Sequence, residues 1–252
     1  MSAAAIPRIF SQHRRRARLQ RHLRLAAGAT PQDQFLRAHL VEDVIDRLDF
    51  IRFAPCDTLV LGDTSGLLTQ QLAPRGHRLL SVDPLRTDEE QPLPGPQAGL
   101  IVSLLALDTV NDLPGALIHL RRALLPGGLF IGCMIGAGTL PTLRHILLAA
   151  DRERPAARLH PQVDTQAASG LMARAGFTRQ VVDGHSLTVT YRTLDRLLAD
   201  LRLQGLTSVL ADAPPALTRA ALARAHAAFA ERADAEGRVS ETFELLTLTG
   251  WV

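Results

Sequence analysis

Two glycines that follow a short apolar run form the segment of this sequence best suited to bind a ligand. The run covers residues 59–61, Gly62 and Gly66 follow it, and Leu67 and Leu68 resume an apolar helical pattern. A strand, a glycine turn and a helix N-terminus in this order surround a nucleotide cofactor with backbone N–H groups. The predicted cofactor-binding residues of this segment are Gly62, Asp63, Thr64, Ser65 and Gly66.

Asp83 is the next residue that suggests ligand binding. It ends the apolar run 79–82 and stands about twenty residues after the glycine turn. In a βαβ unit, an acid at this position accepts hydrogen bonds from both hydroxyls of a ribose. The alternative is a structural role, in which the carboxylate caps the turn that begins at Pro84.

The elements that must position these residues follow from the hydrophobic pattern. Up to residue 150, short apolar runs alternate with amphipathic segments, which predicts a parallel sheet with helices on both faces. The predicted strands are 58–61, 78–82, 100–104 and 129–135, and the predicted helices are 67–73, 113–124, 140–150 and one that begins at Thr30-Pro31. Beyond residue 150 the pattern predicts helices at 166–175, 194–203 and 215–232 and strands at 178–183, 186–191 and 241–251.

Composition excludes several classes of function. The 252 residues are 46% hydrophobic and 21% charged, as in an ordinary globular protein. A net charge of +3 and 4% aromatic residues do not favour nucleic-acid binding. Cys56 and Cys133 give no disulfide framework, no His or Cys spacing fits a metal site, and the longest uncharged apolar run is too short to span a bilayer. We therefore expect no metal and a reducing, cytoplasmic setting.

The first thirty residues are strongly basic. Seven arginines and two histidines, but no acid, lie between Arg8 and Arg24, and Leu19 and Leu23 give a thin apolar stripe. Three interpretations are open: an arm docked on the domain, a helix against anionic lipid at the inner membrane face, or a segment that mimics a transit peptide.

Several segments resemble the class I S-adenosylmethionine (SAM)-dependent methyltransferases (methyltransferase type 11). Residues 107–117 read LDTVNDLPGAL and residues 121–130 read RRALLPGGLF. Segments 136–144, 171–177, 181–191 and 248–251 are similar to one branch of that superfamily. This branch holds the biotin-synthesis malonyl-carrier methyltransferases and the respiratory complex I assembly factors. The Arg-rich start is also similar to that branch, which favours the docked arm over a transit peptide.

The resemblance implies a Rossmann-like methyltransferase sheet with helices on both faces, further helices and strands in the C-terminal half, and SAM as the cofactor. It extends the predicted cofactor contacts to Asp83, Glu89, Glu90 and Ser103. The candidate catalytic residues, on the substrate side of the carboxyl edge of the sheet, are Asp108, Asn111, Asp112 and Tyr191. Asp112 is equally well explained as a helix cap.

Departures from the family pattern predict weak or lost SAM binding. Val60 stands where an acid is expected, Thr64 where a glycine is expected, and Asp108-Thr109 where a His-Trp pair is expected. Only fifteen residues separate Asp83 from Gly99, so the third strand is predicted to be shortened or missing. Losing one charge-assisted hydrogen bond costs about 1.5–3 kcal/mol, which is roughly tenfold to more than a hundredfold in affinity.

Three hypotheses of function follow. The first is a SAM-dependent methyltransferase-like protein that acts on a small molecule or acts on or assembles a protein partner, such as a respiratory-complex subunit. The second is a catalytically inactive scaffold on the same fold, and the third is an assembly factor that modifies protein arginine by hydroxylation. The predicted division is a basic arm (1–29), a methyltransferase core (30–150) and a part that completes the sheet (151–252).

Overall fold

The computed structural model describes residues 8–80 and 82–252. One sheet in this part of the chain contains six strands: β1 (Asp57–Leu61), β2 (Arg78–Leu80), β3 (Ala98–Leu104), β4 (Leu124–Ile135), β5 (Thr178–Tyr191) and β6 (Val239–Trp251). The α-helices are α1 (Gln12–Ala26), α2 (Phe35–Phe50), α3 (Leu67–Leu72), α4 (Leu113–Arg122), α5 (Pro141–Ala150), α6 (Thr165–Ala175), α7 (Leu194–Leu203) and α8 (Arg219–Ala230).

The sheet combines a parallel half and an antiparallel half. Its spatial order is β2-β1-β3-β4-β6-β5, and the first four of these strands pair in parallel. Strand β6 runs antiparallel to both β4 and β5. The predicted α/β sheet is thereby confirmed.

The predicted loss of the third strand is also confirmed. Among the described residues between Leu80 and Ala98 there is no strand. Pro92, Pro94 and Pro96 lie in this stretch and have no N–H group to donate to a neighbouring strand. Strand β2 therefore forms the edge of the described sheet.

Both faces of the parallel half of the sheet are buried, as continuous apolar strands require. One core cluster joins Leu100 and Val102 of β3 to apolar side chains of α2, α5, α7 and α8. The other joins Ile101 of β3 to side chains of α4 and α6. Successive side chains of a strand point to opposite faces, so β3 contributes to both clusters. This leaves the carboxyl ends of the strands as the edge at which a ligand can approach.

Several boundaries differ from the sequence prediction, and three of the differences have a clear local cause. Residues 178–191 form one strand rather than two, because Gly184 stays extended and its neighbours pair continuously with β6. Helix α2 begins at Phe35 rather than at Thr30-Pro31, since Thr30 and Asp33 hydrogen-bond to each other in a separate turn. Helix α8 begins at Arg219, where Thr218 caps its N-terminus.

Helix α1 lies across the carboxyl edge of the sheet. Before it, Phe10 forms an antiparallel bridge with Leu210, and the Ser11 N–H donates to the carbonyl of Val209 over 2.9 Å. Its one fully buried side chain is His22. This packing agrees with the docked-arm interpretation, while the three-part division of the chain stays a prediction. In the described ranges, no helix has both the length and the apolar character that crossing a membrane requires.

Candidate functional site

A cavity of about 830 Å³ lies at the carboxyl ends of β1, β3 and β4, beneath α1. Gly62, Asp63 and Thr64 form part of its wall, and Arg18 and His22 of α1 face them. Cavities of roughly 300–1,000 Å³ are typical of cofactor and small-molecule sites. Its position outside the carboxyl ends of parallel strands is where α/β sheets bind ligands.

Gly62 brings the glycine loop close to β3. Its φ is +76°, and a Cβ there would lie 2.1 Å from the carbonyl oxygen of Leu104, so only glycine fits. The following carboxylate turns away to the start of α3, because Asp63 Oδ2 accepts from the N–H and the hydroxyl of Thr69, both over 2.8 Å. Ser65 donates to Asp63 Oδ1. Ser65 and Gly66 are outside the cavity wall.

Thr64 is held by the N-terminal helix. His22 Nε2 lies 2.5 Å from Thr64 Oγ1, and His22 Nδ1 lies 2.7 Å from the carbonyl oxygen of Leu203. A carbonyl can only accept, so Nδ1 carries the proton. Burial, and then the charge of Arg37, lowers the pKa of His22 to about 4, so the ring is neutral at pH 7. Nε2 therefore accepts from the Thr64 hydroxyl.

The predicted ribose acid takes the structural role that the sequence left open. Asp83 Oδ1 accepts from the Leu85 N–H over 2.9 Å, and Arg86 lies 3.4 Å from its other oxygen. The cavity wall includes Val82 and Pro84 but not Asp83. The turn after β2 uses the carboxylate, and the ribose contact expected of Asp83 stays a prediction.

The other predicted cofactor residues are divided between two environments. Glu89 lines the cavity, where its Oε2 accepts from Arg15 over 2.9 Å. Glu90 lies behind the wall and accepts from the Asn111 N–H over 2.8 Å. Ser103 is fully buried in β3, on the same side of the strand as Ile101, and does not reach the cavity.

Among the candidate catalytic residues, Asp108 is the one with a free acceptor in the cavity wall. The Ile135 N–H donates to its Oδ1 over 2.6 Å, whereas its buried Oδ2 has no hydrogen-bond partner. Burial raises the pKa of Asp108 to about 6, although Ile135, Arg18 and Arg37 favour the charged form. A carboxyl group with this pKa can hold or accept a proton close to neutral pH.

The remaining three candidates are engaged in contacts within the fold, and their catalytic roles stay predictions. Asn111 lines the cavity, but its amide bonds the backbone of Phe10, with a bond of 2.8 Å from the Phe10 N–H to Oδ1. Asp112 caps α4 by accepting from the Gly115 N–H over 2.9 Å. Tyr191 is 3% exposed in the core and is outside the cavity wall, since β5 is the outer antiparallel strand, far along the sheet from β1 and β3.

Comparison with known proteins identifies curated relatives of this chain. No family model matches the chain. It is 31% identical over 175 residues to "Arginine-hydroxylase NDUFAF5, mitochondrial" of Rattus norvegicus, a match that covers 68% of this chain and 51% of the relative. It is 25% identical over 256 residues to "Malonyl-[acyl-carrier protein] O-methyltransferase" of Gallionella capsiferriformans, with 90% and 87% of the two chains covered.

The chain belongs to the class I methyltransferase superfamily. Its curated relatives lie in the branch that the sequence resemblance indicated. The chain spans about half the length of the first relatives it matches. A solved putative methyltransferase of Bacillus halodurans is 12% identical with a TM-score of 0.49, covering 81% of this chain and 96% of that one.

In this methyltransferase-like chain, sequence reasoning missed the basic residues of the cavity wall, which include Arg15, Arg18, His22 and Arg37. Arg15 donates to Thr109, Glu89 and the carbonyl of Ala106. Arg18 donates to the Thr207 carbonyl and the Thr109 hydroxyl, and burial lowers its pKa to about 10. The density of arginine in the first thirty residues was a visible signal, but it did not show which of them point inward.

Proposed function

We propose that this chain is a methyltransferase-like protein that binds SAM weakly in the cavity and acts on a protein partner. The observation that carries the proposal is a cofactor-sized cavity whose wall keeps the glycine turn at Gly62 but lacks an acid at Val60. The middle of the turn carries Thr64, whose hydroxyl is already bonded to His22. The cavity of the family is therefore retained, but several of the side chains expected to contact the cofactor are missing.

The residues present fit an adenosyl compound in part. Gly62 allows the close approach of the loop to Leu104, and the backbone of Gly62–Thr64 would hold the compound from one side. Glu89 would face it from the other side, although Arg15 already neutralises this carboxylate. When bound, SAM supplies an electrophilic methyl group.

Isothermal titration calorimetry with SAM tests this proposal. The wild-type dissociation constant is expected in the range of hundreds of micromolar or weaker, because each missing charge-assisted bond costs about 1.5–3 kcal/mol. Val60→Asp together with Thr64→Gly restores the family pattern and is expected to tighten binding roughly tenfold or more. Val181→Asp, on the exposed side of β5, is the matched control and leaves affinity unchanged. Low-micromolar binding by the wild type, or no binding by the restored variant, would contradict the proposal.

The proposed partner is a protein such as a respiratory-complex subunit. The relatives named as arginine-hydroxylase and as malonyl-[acyl-carrier protein] O-methyltransferase support a protein or a protein-borne group as the substrate. Mass spectrometry of a partner incubated with this chain separates the three hypotheses. A gain of one methylene unit supports methyl transfer, a gain of one oxygen supports hydroxylation, and a stable complex with unmodified partner supports a scaffold.

Contact with a membrane surface is a further part of the proposal. Arg21 and Arg24 are exposed on α1, while Arg15, Arg16 and Arg18 line the cavity, so the helix keeps a basic outer face after docking. Such a face is attracted to anionic lipid. Cosedimentation with vesicles of phosphatidylserine and phosphatidylcholine is expected, and it should be weakened when Arg21 and Arg24 are both replaced by glutamine. Binding to pure phosphatidylcholine vesicles to the same extent would contradict it.

A further inference from the structure

Three residues that line the cavity each carry a buried side-chain atom with no hydrogen-bond partner: Arg37 Nε, Asp108 Oδ2 and Ser208 Oγ. Buried donors and acceptors are almost always paired, because an unpaired one costs about 1–3 kcal/mol and a charged one costs more. Their occurrence together on one cavity indicates that a bound molecule completes these bonds.

Arg37 and Asp108 are each fixed at one atom and free at another. Arg37 is 5% exposed, and its Nη1 donates to the carbonyl of Gln204 over 2.8 Å. Asp108 Oδ1 accepts from the Ile135 N–H, which leaves Oδ2 free. Because these bonds orient the guanidinium and the carboxylate, little side-chain entropy remains to be lost when a ligand binds.

The charges of this region are opposite but not paired. Asp108 takes part in none of the ion pairs found among the described residues, although Arg18 and Arg37 act on it electrostatically. Arg18 is held by Thr109 and Thr207 instead. A ligand that carries both a cationic donor and an anionic acceptor would bridge the space between these groups.

We propose that Arg37 and Asp108 form a subsite for an α-amino carboxylate, namely the amino-acid end of the adenosyl compound. The ligand carboxylate accepts from Arg37 Nε, and the ligand ammonium group donates to Asp108 Oδ2. Two charge-assisted hydrogen bonds at this end compensate in part for the contacts missing at Val60 and Thr64. The inference rests on the proposed function, since it assigns one end of the proposed ligand.

The test compares two ligands that differ at that end. S-adenosylhomocysteine carries the amino carboxylate and methylthioadenosine lacks it. By calorimetry, the wild type is expected to bind S-adenosylhomocysteine at least about tenfold more tightly. Arg37→Gln and Asp108→Asn should each weaken the binding of S-adenosylhomocysteine about tenfold and leave the affinity for methylthioadenosine unchanged. Arg174→Gln and Asp195→Asn, on the exposed sides of α6 and α7, are the matched controls and should change neither ligand.

The outcomes separate the subsite from the proposed function. Equal affinity of the wild type for both ligands overturns the subsite while the cavity still binds the adenosyl group. Absence of binding for both ligands overturns the proposed function, and the subsite with it. If Arg37→Gln fails to fold, Asp108→Asn decides, because it keeps the Oδ1 acceptor for the Ile135 N–H. If folded Asp108→Asn still prefers S-adenosylhomocysteine over methylthioadenosine by the wild-type factor, the proposed role of Asp108 is overturned.

Discussion

His22 Nε2 and Thr64 Oγ1 lie 2.5 Å apart and join helix α1 to the glycine loop. The same ring bonds the carbonyl of Leu203 through Nδ1, so one buried imidazole connects α1, the loop and the end of α7. His22 is 2% exposed. His22 is therefore buried with both ring nitrogens hydrogen-bonded, and it holds helix α1 in position over the cavity.

Replacing His22 by alanine is expected to destabilise the chain. The change leaves Thr64 Oγ1 and the Leu203 carbonyl without a partner, each at a cost of about 1–3 kcal/mol. Urea unfolding should give a midpoint lower by an amount equivalent to several kcal/mol. His13→Ala, at an exposed position of the same helix, is the control. Equal midpoints for the two variants would show that the bonds of His22 do not stabilise the fold.

The stability contributed by His22 is expected to depend on pH. Its folded pKa of about 4 lies below the ordinary value of 6.5, so the fold favours the neutral ring. The contribution is complete above the unfolded pKa and decreases as the pH falls toward 4. Between pH 7 and pH 5 the loss is about 2 kcal/mol.

Other groups titrate over the same range, so the prediction concerns a difference between two proteins. The raised pKa of Asp108, about 6, acts in the opposite direction, because protonation as the pH falls relieves a buried charge. Subtracting the unfolding free energy of His22→Ala from that of the wild type at each pH removes this shared effect. The difference should shrink between pH 7 and pH 5, and a constant difference would contradict the shifted pKa.

Glu241 is expected to be essential for the start of α5. It is 1% exposed, and its carboxylate accepts from the N–H groups of Thr142 over 3.2 Å and of Leu143 over 2.7 Å. The first N–H groups of a helix have no partner within the helix, and a carboxylate there also favours the helix dipole. Glu241→Ala should lower the free energy of unfolding by about 2–4 kcal/mol. Glu231→Ala, at an exposed helix end, should change it by less than about 0.5 kcal/mol.

The sequence predicted the features that depend on neighbouring residues. The glycine turn at Gly62 and the missing strand after β2 follow from local residue types and from chain length. The two functions open to Asp83 could not be separated, because the choice depends on the path of the turn that follows β2. The inward face of α1 was not predictable, since Arg15 and Arg18 bond Thr109 and the Thr207 carbonyl, which are distant in sequence. Contacts of this kind leave no periodic signal.

Arg15 is expected to hold α1 over the cavity. Its guanidinium donates to Glu89 over 2.9 Å and to Thr109 over 3.2 Å, and the side chains of Arg15 and Glu89 are only 13% and 11% exposed. Helix α1 has no buried apolar side chain, so polar bonds such as these supply much of its attachment. Arg15→Ala should increase hydrogen exchange of the α1 amides about tenfold, since a partly buried charged bond contributes about 1.5–3 kcal/mol.

Arg21→Ala is the matched control for this experiment. Arg21 lies on the same helix but is exposed and outside the cavity wall, so its removal changes the intrinsic helix propensity equally without breaking the bond to Glu89. Exchange rates for α1 should therefore stay at wild-type values in this variant. Raising the salt concentration should reduce the difference in α1 exchange rate between the wild type and Arg15→Ala, because ions screen the Arg15–Glu89 ion pair. Equal exchange in the two variants would mean that α1 is attached by other contacts, with His22 the first to examine.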